Sequence, residues 1–268
     1  MKGRPEPFTF AVALTPRVNA GDWGRIEALL GLTLLSALAQ TDPDLRVLIA
    51  GHDRPRLPDD PRVGFLEVPW PPEPPGPHNG DSGRKKHWLS RRVLEQGGGL
   101  MMVLDADDWV DTGLVAAARA MPPDRIGGLV EAGLVVDIRT LRAAPLPHPD
   151  VSSLEFHRFC GSSGVVRQRA EAGDALRRDP FEVLRSHHRW VEVAAEHGAA
   201  LAPLPVSGAY VINTGENHSE LHGPHAGWRR GFTAGVNRAG RALDDAALAR
   251  FGLTCARVRA AYPCASPT

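Results

Sequence analysis

The chain has 268 residues, in which 31 Lys and Arg balance 31 Asp and Glu. That length suits one large α/β domain or two small ones, and the zero formal charge removes any global field that would draw nucleic acid or an anionic membrane. Cys160, Cys255 and Cys264 are odd in number and lack paired spacing, which argues against a disulfide framework or a zinc ribbon. Residues 1–7 are polar and contain proline, and no stretch approaches ~18 uninterrupted apolar residues. The expectation is a cytoplasmic protein without a transmembrane segment.

Residues 8–14 are a short apolar run of β-formers that Thr15-Pro16 ends as a strand ends. A helix is predicted over 22–40, where Ile26, Leu29, Leu30, Leu34 and Leu38 form a broad apolar face behind Asp22 as cap. A second buried strand over 45–50 stops at Gly51-His52-Asp53. Strand, helix, strand predicts a βαβ unit and a parallel sheet. Residues 63–68 read as a third strand. The stretch 69–83, dense in Pro and Gly, reads as a loop of the kind that carries function at a sheet edge. The spacing of Trp88, Leu89, Val93 and Leu94 predicts a helix over 84–96, stopped by the glycines at 97–99.

The run Leu100-Met101-Met102-Val103-Leu104-Asp105-Ala106-Asp107-Asp108-Trp109 is the most telling. An apolar strand delivers three carboxylates where it stops. On a strand Asp105 and Asp107 point to one side and converge, while Asp108 turns outward or caps the helix expected over 112–120. Clustered carboxylates repel unless a cation neutralises them. Mg²⁺ and Mn²⁺ prefer oxygen ligands and keep positions open for phosphate oxygens. Three solvated acids, with Asp108 and Asp111 capping the helix, are the alternative reading.

Beyond this point residues 126–139 predict one or two strands of a mixed sheet, followed by a Pro-rich connection to 149 and a strand over 161–167. Helices are expected over 168–178 and 181–197, and two short extended segments within 199–213. A polar Gly- and His-rich loop then leads to amphipathic helices over 228–241 and 244–262. No internal repeat is visible.

The element order, the anchors Leu14-Thr15-Pro16 and Thr33-Leu34-Leu35-Ser36-Ala37-Leu38-Ala39-Gln40-Thr41, the strand into Asp53 and the phrase Leu104-Asp105-Ala106-Asp107-Asp108 carry a resemblance. Over about residues 8–220 the chain resembles the nucleotide-sugar domain of GT-A glycosyltransferases, particularly the family-2-like bacterial enzymes, whose DxD signature the last phrase matches. The resemblance implies an α/β, GT-A fold: a Rossmann-like nucleotide-binding half with a mixed central sheet, plus C-terminal acceptor-side helices. Its expected divisions are a nucleotide-sugar half at 1–125, an acceptor half of the same domain at 126–225 and a helical extension at 226–268. The implied activity is Mn²⁺- or Mg²⁺-dependent transfer of a sugar from a nucleoside-diphosphate sugar to the hydroxyl of a glycan, lipid-linked or small-molecule acceptor, with inversion.

By the same resemblance Asp107 binds the metal, Asp105 contacts the ribose or metal, and Asp108 assists on the sugar side. Thr15, Pro16 and Arg17 line the base pocket, with Asp53 at the base or ribose. The family often shows an acidic pair after the second strand; Gly51-His52-Asp53 stands here, so the base stays open. Asp81-Ser82-Gly83-Arg84-Lys85-Lys86 lies at a loop-to-helix transition favourable to anions, making Lys85 or Lys86 a diphosphate contact or else part of a solvated first turn. The Gly-x4-Gly-Lys-Ser/Thr phosphate loop is missing, which disfavours ATPase chemistry.

Neutral imidazole ligates Mn²⁺, and among His218, His222 and His225 the first matches the family's closing metal ligand. A zinc site from His218 and His222 is disfavoured because Gly223-Pro224 breaks the helix their spacing needs. Where the family places a catalytic Asp, ahead of Gly198, this chain has Ser186-His187-His188-Arg189-Trp190. Either His187 or His188 is therefore a candidate base, with Glu155, Asp179 and Glu182 as carboxylate alternatives. Cys160-Gly161-Ser162-Ser163-Gly164 lacks the spacing of a hydrolase elbow; the resemblance makes it the acceptor-side loop, with Ser162 and Ser163 facing the sugar. Trp190 and Trp228 offer faces to a sugar ring or belong to the core. Two rivals remain: a nucleotidyltransferase, although the Gly-rich basic loop after its first strand is missing, and a non-catalytic nucleotide- or glycan-binding protein.

Overall fold

The computed structural model describes residues 5–222 and 226–263; His225 and Cys264 lie outside the described residues, as do residues 1–4. Phe8–Ala13 forms strand β1, and its alternation sorts the core. Phe8, Phe10 and Val12 pack with Ile26, Leu30 and Leu34 of helix α1 (Trp23–Leu38), whereas Ala11 belongs to the cluster of Leu89 and Val93 on helix α2 (Gly80–Glu95). A period of two on the strand thus sends the helices to opposite faces of one sheet. Asp22 caps α1 as expected, accepting from the Arg25 N–H at 3.2 Å.

The remaining strands are β2 (Arg46–Gly51), β3 (Val63–Glu67), β4 (Gly98–Val103), β5 (Trp109–Val110), β6 (Gly127–Leu129), β7 (Ala132–Asp137), β8 (Arg142–Leu146), β9 (Gly164–Arg169), β10 (Ala202–Pro203), β11 (Ser207–Ile212) and β12 (Arg241–Ala242). The central sheet has seven strands in the order β10-β6-β9-β4-β1-β2-β3. β3, β2, β1 and β4 run parallel, and β9 lies antiparallel between β4 and β6. The fold is therefore α/β with a mixed central sheet. A second sheet, β12-β8-β7-β11-β5, draws β5 from directly after the aspartate cluster and pairs it antiparallel with β11. One core cluster spans both sheets, from Val12 and Met102 to Val135, Ile212 and Val236.

Several elements differ from the sequence expectation, each for a local reason. Helix α2 begins at Gly80 instead of 84, because Asn79 accepts from the Ser82 N–H and supplies a cap for another turn. The Pro-rich connection contains β8, whose Pro145 pairs opposite Leu134 at a position that tolerates a missing N–H. Gln168 and Arg169 stay in β9 opposite Gly99 and Gly98, which leaves only Ala175–Arg178 of the expected helix. The helix expected over 181–197 is broken by Arg185 at φ 53° into Pro180–Leu184, a 3-10 turn at His187–Arg189 and Trp190–Glu196. The last expected helix divides into Asp245–Ala249 and Cys255–Ala261 around Gly252, whose φ is 68°. Among the described residues no helix is long and apolar enough to cross a membrane.

Candidate active site

Parallel strands that end side by side leave a crevice beyond their carboxyl ends. Here the ends of β1 and β4 open on a cleft of about 1340 Å³ lined by Thr15, Pro16, Lys86, Asp105, Asp107 and His187, among others. Lys86 points from α2 into it and places its Nζ 2.9 Å from Asp105 Oδ1. Its neighbour Lys85, one residue earlier and so about 100° around the helix, is fully buried. Lys85 donates to the Leu14 carbonyl at 2.7 Å and to Asp81. Burial pushes its pKa down and the Asp81 carboxylate pulls it back. Of the two expected phosphate contacts only Lys86 reaches the cleft; Lys85 is a structural bolt that fixes the end of β1 against α2.

The three aspartates separate in the same way. Asp105 and Asp107 line the cleft, whereas Asp108 is 1% exposed and stands behind it. Asp108 accepts from Ser162 Oγ at 2.7 Å, from the Val211 N–H at 2.9 Å and from Cys160 Sγ at 3.3 Å. Ser162 Oγ in turn accepts from the Asp105 N–H at 2.8 Å. Asp108 therefore neither turns outward, nor caps a helix, nor faces a sugar. It clamps the turn after β4 to the loop before β9 and to β11. The helix that follows, Leu114–Arg119, has Gly113 at its cap position and no side-chain cap bond.

Crowding shows in the electrostatics. Burial and the adjacent Asp108 and Asp105 charges push Asp107 well above the ordinary carboxylate range. Burial and Asp105 push Asp108 to about 7. Burial raises Asp105, but the Lys86 ammonium hydrogen-bonded to it holds it below its ordinary value. Asp107 also accepts from Asn217 Nδ2 at 3.1 Å, a partner that sequence reasoning missed because a lone Asn carries no spacing signature.

Asn217 begins the loop and short helix that bring His218 to the opposite wall of the cleft. Burial, and then His222, lower the His218 pKa. Its Nε2 is buried without a hydrogen-bond partner among the described residues. Glu216 ties this wall to the start of α1, accepting from the Gly21 N–H at 2.9 Å and lying 3.5 Å from Arg25. Among the described residues no three His, Cys, Asp or Glu side chains gather closely enough to hold a metal ion.

At the end of the cleft beside β1, Thr15 and Pro16 line it, but Arg17 and Asp53 do not. Asp53 accepts from the Arg17 N–H at 2.8 Å, and the Arg17 guanidinium lies 4.8 Å from the Trp23 ring centroid. Both shape the Thr15-Pro16 turn from outside. The Pro-rich loop forms the outer wall, fastened where Asn19 Nδ2 donates to the Glu73 carbonyl at 2.6 Å and Arg84 meets Glu73 at 3.3 Å.

At the other end His187 and His188 line the cleft from their 3-10 turn, rings 4.0 Å apart. Burial, followed by His188 and Lys86, pushes His187 down to about 3, and its buried Nε2 has no partner among the described residues. Ser162, Ser163 and Trp190 stand behind the wall, in place of the expected sugar-facing positions. Ser163 Oγ donates to the Cys160 carbonyl at 2.6 Å, and the Trp190 indole packs on Gly164 and donates to the Arg185 carbonyl at 3.1 Å. Gly161, which carries no side chain, is what the loop presents.

The carboxylate alternatives are elsewhere. Glu155 pairs with Arg158 at 3.3 Å and Glu182 with His87 at 2.7 Å, while Asp179 accepts from Ser90 at 2.9 Å. Trp228 does reach the cleft, joined by Phe159, Arg158, Tyr210 and Arg229, none of which had a sequence signal beyond its type. Compared with known proteins, the chain matches no family model and no curated protein.

Proposed function

We propose that the chain is a metal-dependent glycosyltransferase of GT-A type, moving a sugar from a nucleoside-diphosphate donor to an acceptor hydroxyl. The observation that carries the reading is the placement of Asp105 and Asp107 with Lys86 at the carboxyl end of β4, facing one large cleft. The strand order β3-β2-β1-β4 supports it, because crevices of this kind accept nucleotides. Fold alone carries no substrate, so the argument rests on the site.

The donor set fits Mn²⁺ or Mg²⁺. Burial and the Asp108 and Asp105 charges raise the proton affinity of Asp107, and across the cleft His218 Nε2 has no partner among the described residues. Asp107 and Asp105 would hold the cation at the end of β4, and His218 would have to approach from the facing wall to complete the set. When bound, the cation supplies positive charge to the departing diphosphate. Asn217 orients Asp107, and Lys86 turns between Asp105 and a phosphate oxygen. Thr15 and Pro16 give the base its apolar edge. His188 takes the proton as the acceptor oxygen attacks the anomeric carbon and the diphosphate leaves with the bond's electrons. His187, held neutral, packs beside His188 and adds no charge at this end of the cleft.

One observation favours a second reading, a binding protein without turnover: this end of the cleft presents the His187-His188 pair and none of Glu155, Asp179 or Glu182. A thermal-shift series of nucleoside diphosphates and nucleotide sugars, with and without Mn²⁺, separates the cases. Mn²⁺-dependent stabilisation followed by release of nucleoside diphosphate is expected. Release of pyrophosphate indicates a nucleotidyltransferase, stabilisation without donor consumption indicates a binding protein, and no nucleotide response overturns the site.

A further inference from the structure

Asn217 is engaged at both ends of its side-chain amide. Its Nδ2 donates to Asp107 Oδ2 at 3.1 Å, while its Oδ1 accepts from the Ser219 N–H at 3.0 Å and from Ser219 Oγ at 2.6 Å. An aspartate here would keep the Ser219 bonds but would face Asp107 with a like charge. The amide is therefore the group this position calls for, and its aim depends on the backbone that leads into it. The chain leaves β11 at Ile212 and turns through Asn213 at φ 61° and Gly215 at φ 74°. Positive φ at both residues takes the segment out of the sheet ladder, so its polar groups are satisfied by side chains.

Thr214 stands in the middle of that turn and is fully buried. Its Oγ1 accepts from the Glu216 N–H at 3.1 Å and from the Asn217 N–H at 2.9 Å, which fixes the step into Asn217. Its carbonyl accepts from the Tyr262 hydroxyl at 2.9 Å, across 48 residues of chain. Tyr262 ends the helix Cys255–Ala261. Its ring belongs to the core cluster of Leu29 and Leu32 on α1, Val136 and Val211 in the second sheet, and Leu248 and Phe251. A phenyl ring would fill the same place, so packing accounts for the ring and leaves the hydroxyl to be explained. Other contacts hold the two sides of the turn. Asn213 donates to Asp137 at 3.1 Å, Arg139 donates to the Asn213 carbonyl at 2.9 Å, and Glu216 accepts from the Gly21 N–H at 2.9 Å. Tyr262 holds the peptide between them, whose plane the following glycine would otherwise let rotate at little cost.

We propose that Tyr262 is a positioning residue for Asp107: its hydroxyl, through Thr214 and Asn217, sets the orientation of that carboxylate. The link is a run of hydrogen bonds of 2.9, 2.9 and 3.1 Å from the last helix to the end of β4. What Asp107 does with that orientation rests on the glycosyltransferase reading of the cleft. Tyr262 itself lines none of the cleft, so it acts on donor binding only through the loop.

NMR and calorimetry on the full chain test this with Tyr262→Phe, which keeps the ring, and with Leu248→Ala, which removes packing from the same cluster on a different helix. Loss of the hydroxyl should speed backbone amide exchange at Glu216 and Asn217 about tenfold beyond any change at Val211. It should also shift the Asn217 side-chain amide resonance. Uridine and guanosine diphosphates with Mn²⁺ are the probes of the cleft, and affinity for whichever binds should fall about tenfold. Leu248→Ala should lower the urea midpoint at least as much as Tyr262→Phe, yet keep exchange at Glu216 and Asn217, relative to Val211, and nucleotide affinity within about threefold. Unchanged exchange in Tyr262→Phe, or the same local change in Leu248→Ala, overturns the inference. A loosened loop with full nucleotide affinity overturns it too. If the unmodified protein binds neither diphosphate, the glycosyltransferase reading fails, and the Asn217 side-chain resonance decides alone: a shift in Tyr262→Phe upholds the link to Asp107, and an unmoved signal overturns it.

Discussion

The two walls of the cleft are built differently. One wall is the carboxyl edge of long parallel strands, backed by the sixteen-residue helices α1 and α2. The other consists of a 3-10 turn, helices of four to seven residues, the loop after β11 and the first turn of the helix Ala226–Ala239. On the first wall each side chain is placed by strand or helix geometry, so a one-residue shift changes its fate: Lys86 meets Asp105 while Lys85 is sealed inside. On the second wall placement depends on contacts between distant segments, such as Asn217 with Asp107 and Trp190 with Gly164. Positions fixed by regular structure should thus fail through stability or binding according to the direction they face, and positions on the second wall should fail through displacement.

The largest effect expected is on stability, at the first wall. Lys85→Met removes a buried ammonium and leaves the Leu14 carbonyl and Asp81 without their donor, so a loss of roughly 3–5 kcal/mol in urea unfolding is predicted. Lys86→Met should leave the urea midpoint nearly unchanged and weaken nucleotide binding instead. Equal destabilisation by both would break the contrast. Next, Asp107→Asn is predicted to lower Mn²⁺-dependent nucleotide affinity by about 100-fold in calorimetry, in the range seen when metal-site groups are altered. Retained affinity would remove Asp107 from the ligand set.

A smaller effect tests the second wall. A Cβ on Gly164 would lie 2.1 Å from Trp190 Cζ3, so Gly164→Ala should cost about 1–3 kcal/mol through overpacking. It should also lower turnover beyond that cost, because Trp190 directly follows the His187–Arg189 turn. Unchanged turnover with reduced stability would show that the turn is held independently of Trp190.

The smallest effect concerns pH. Burial lowers the pKa of His52 behind the first wall and of His157 behind the second. The unfolded chain binds protons that the folded one refuses, so this part of the stability is present above the unfolded value and is lost as pH falls through about 6.5. His157→Gln should flatten the fall in urea midpoint between about pH 7.5 and 5.5, by less than about 1 kcal/mol. A steeper fall in the variant would contradict burial as the cause.

Legibility followed the same division. The βαβ start was readable from periodicity, because Phe8, Phe10 and Val12 alternate and Ile26, Leu30 and Leu34 repeat at helical spacing. The clustering of Asp105 and Asp107 at a strand end was readable from local sequence alone. The inward turn of Asp108 was not, since its donors lie on Ser162 and Val211, 54 and 103 residues away. The burial of Ser163 and Trp190 was equally hidden, as was the break at Arg185, whose positive φ has no marker in its residue type.

The amino-acid order by itself determined that apolar runs of two periods would make a sheet clad by helices, and that carboxylates would stand where its fourth strand ends. Those properties come from steric and hydrophobic preferences acting over a few neighbours. Only the tertiary structure decided which of two adjacent lysines and which of three close aspartates face the cleft, and that the Tyr262 hydroxyl meets the loop that carries Asn217. Orientation at the end of an element is set by whichever distant donors and packing partners satisfy a buried polar group, and those partners are brought together only when the whole chain folds.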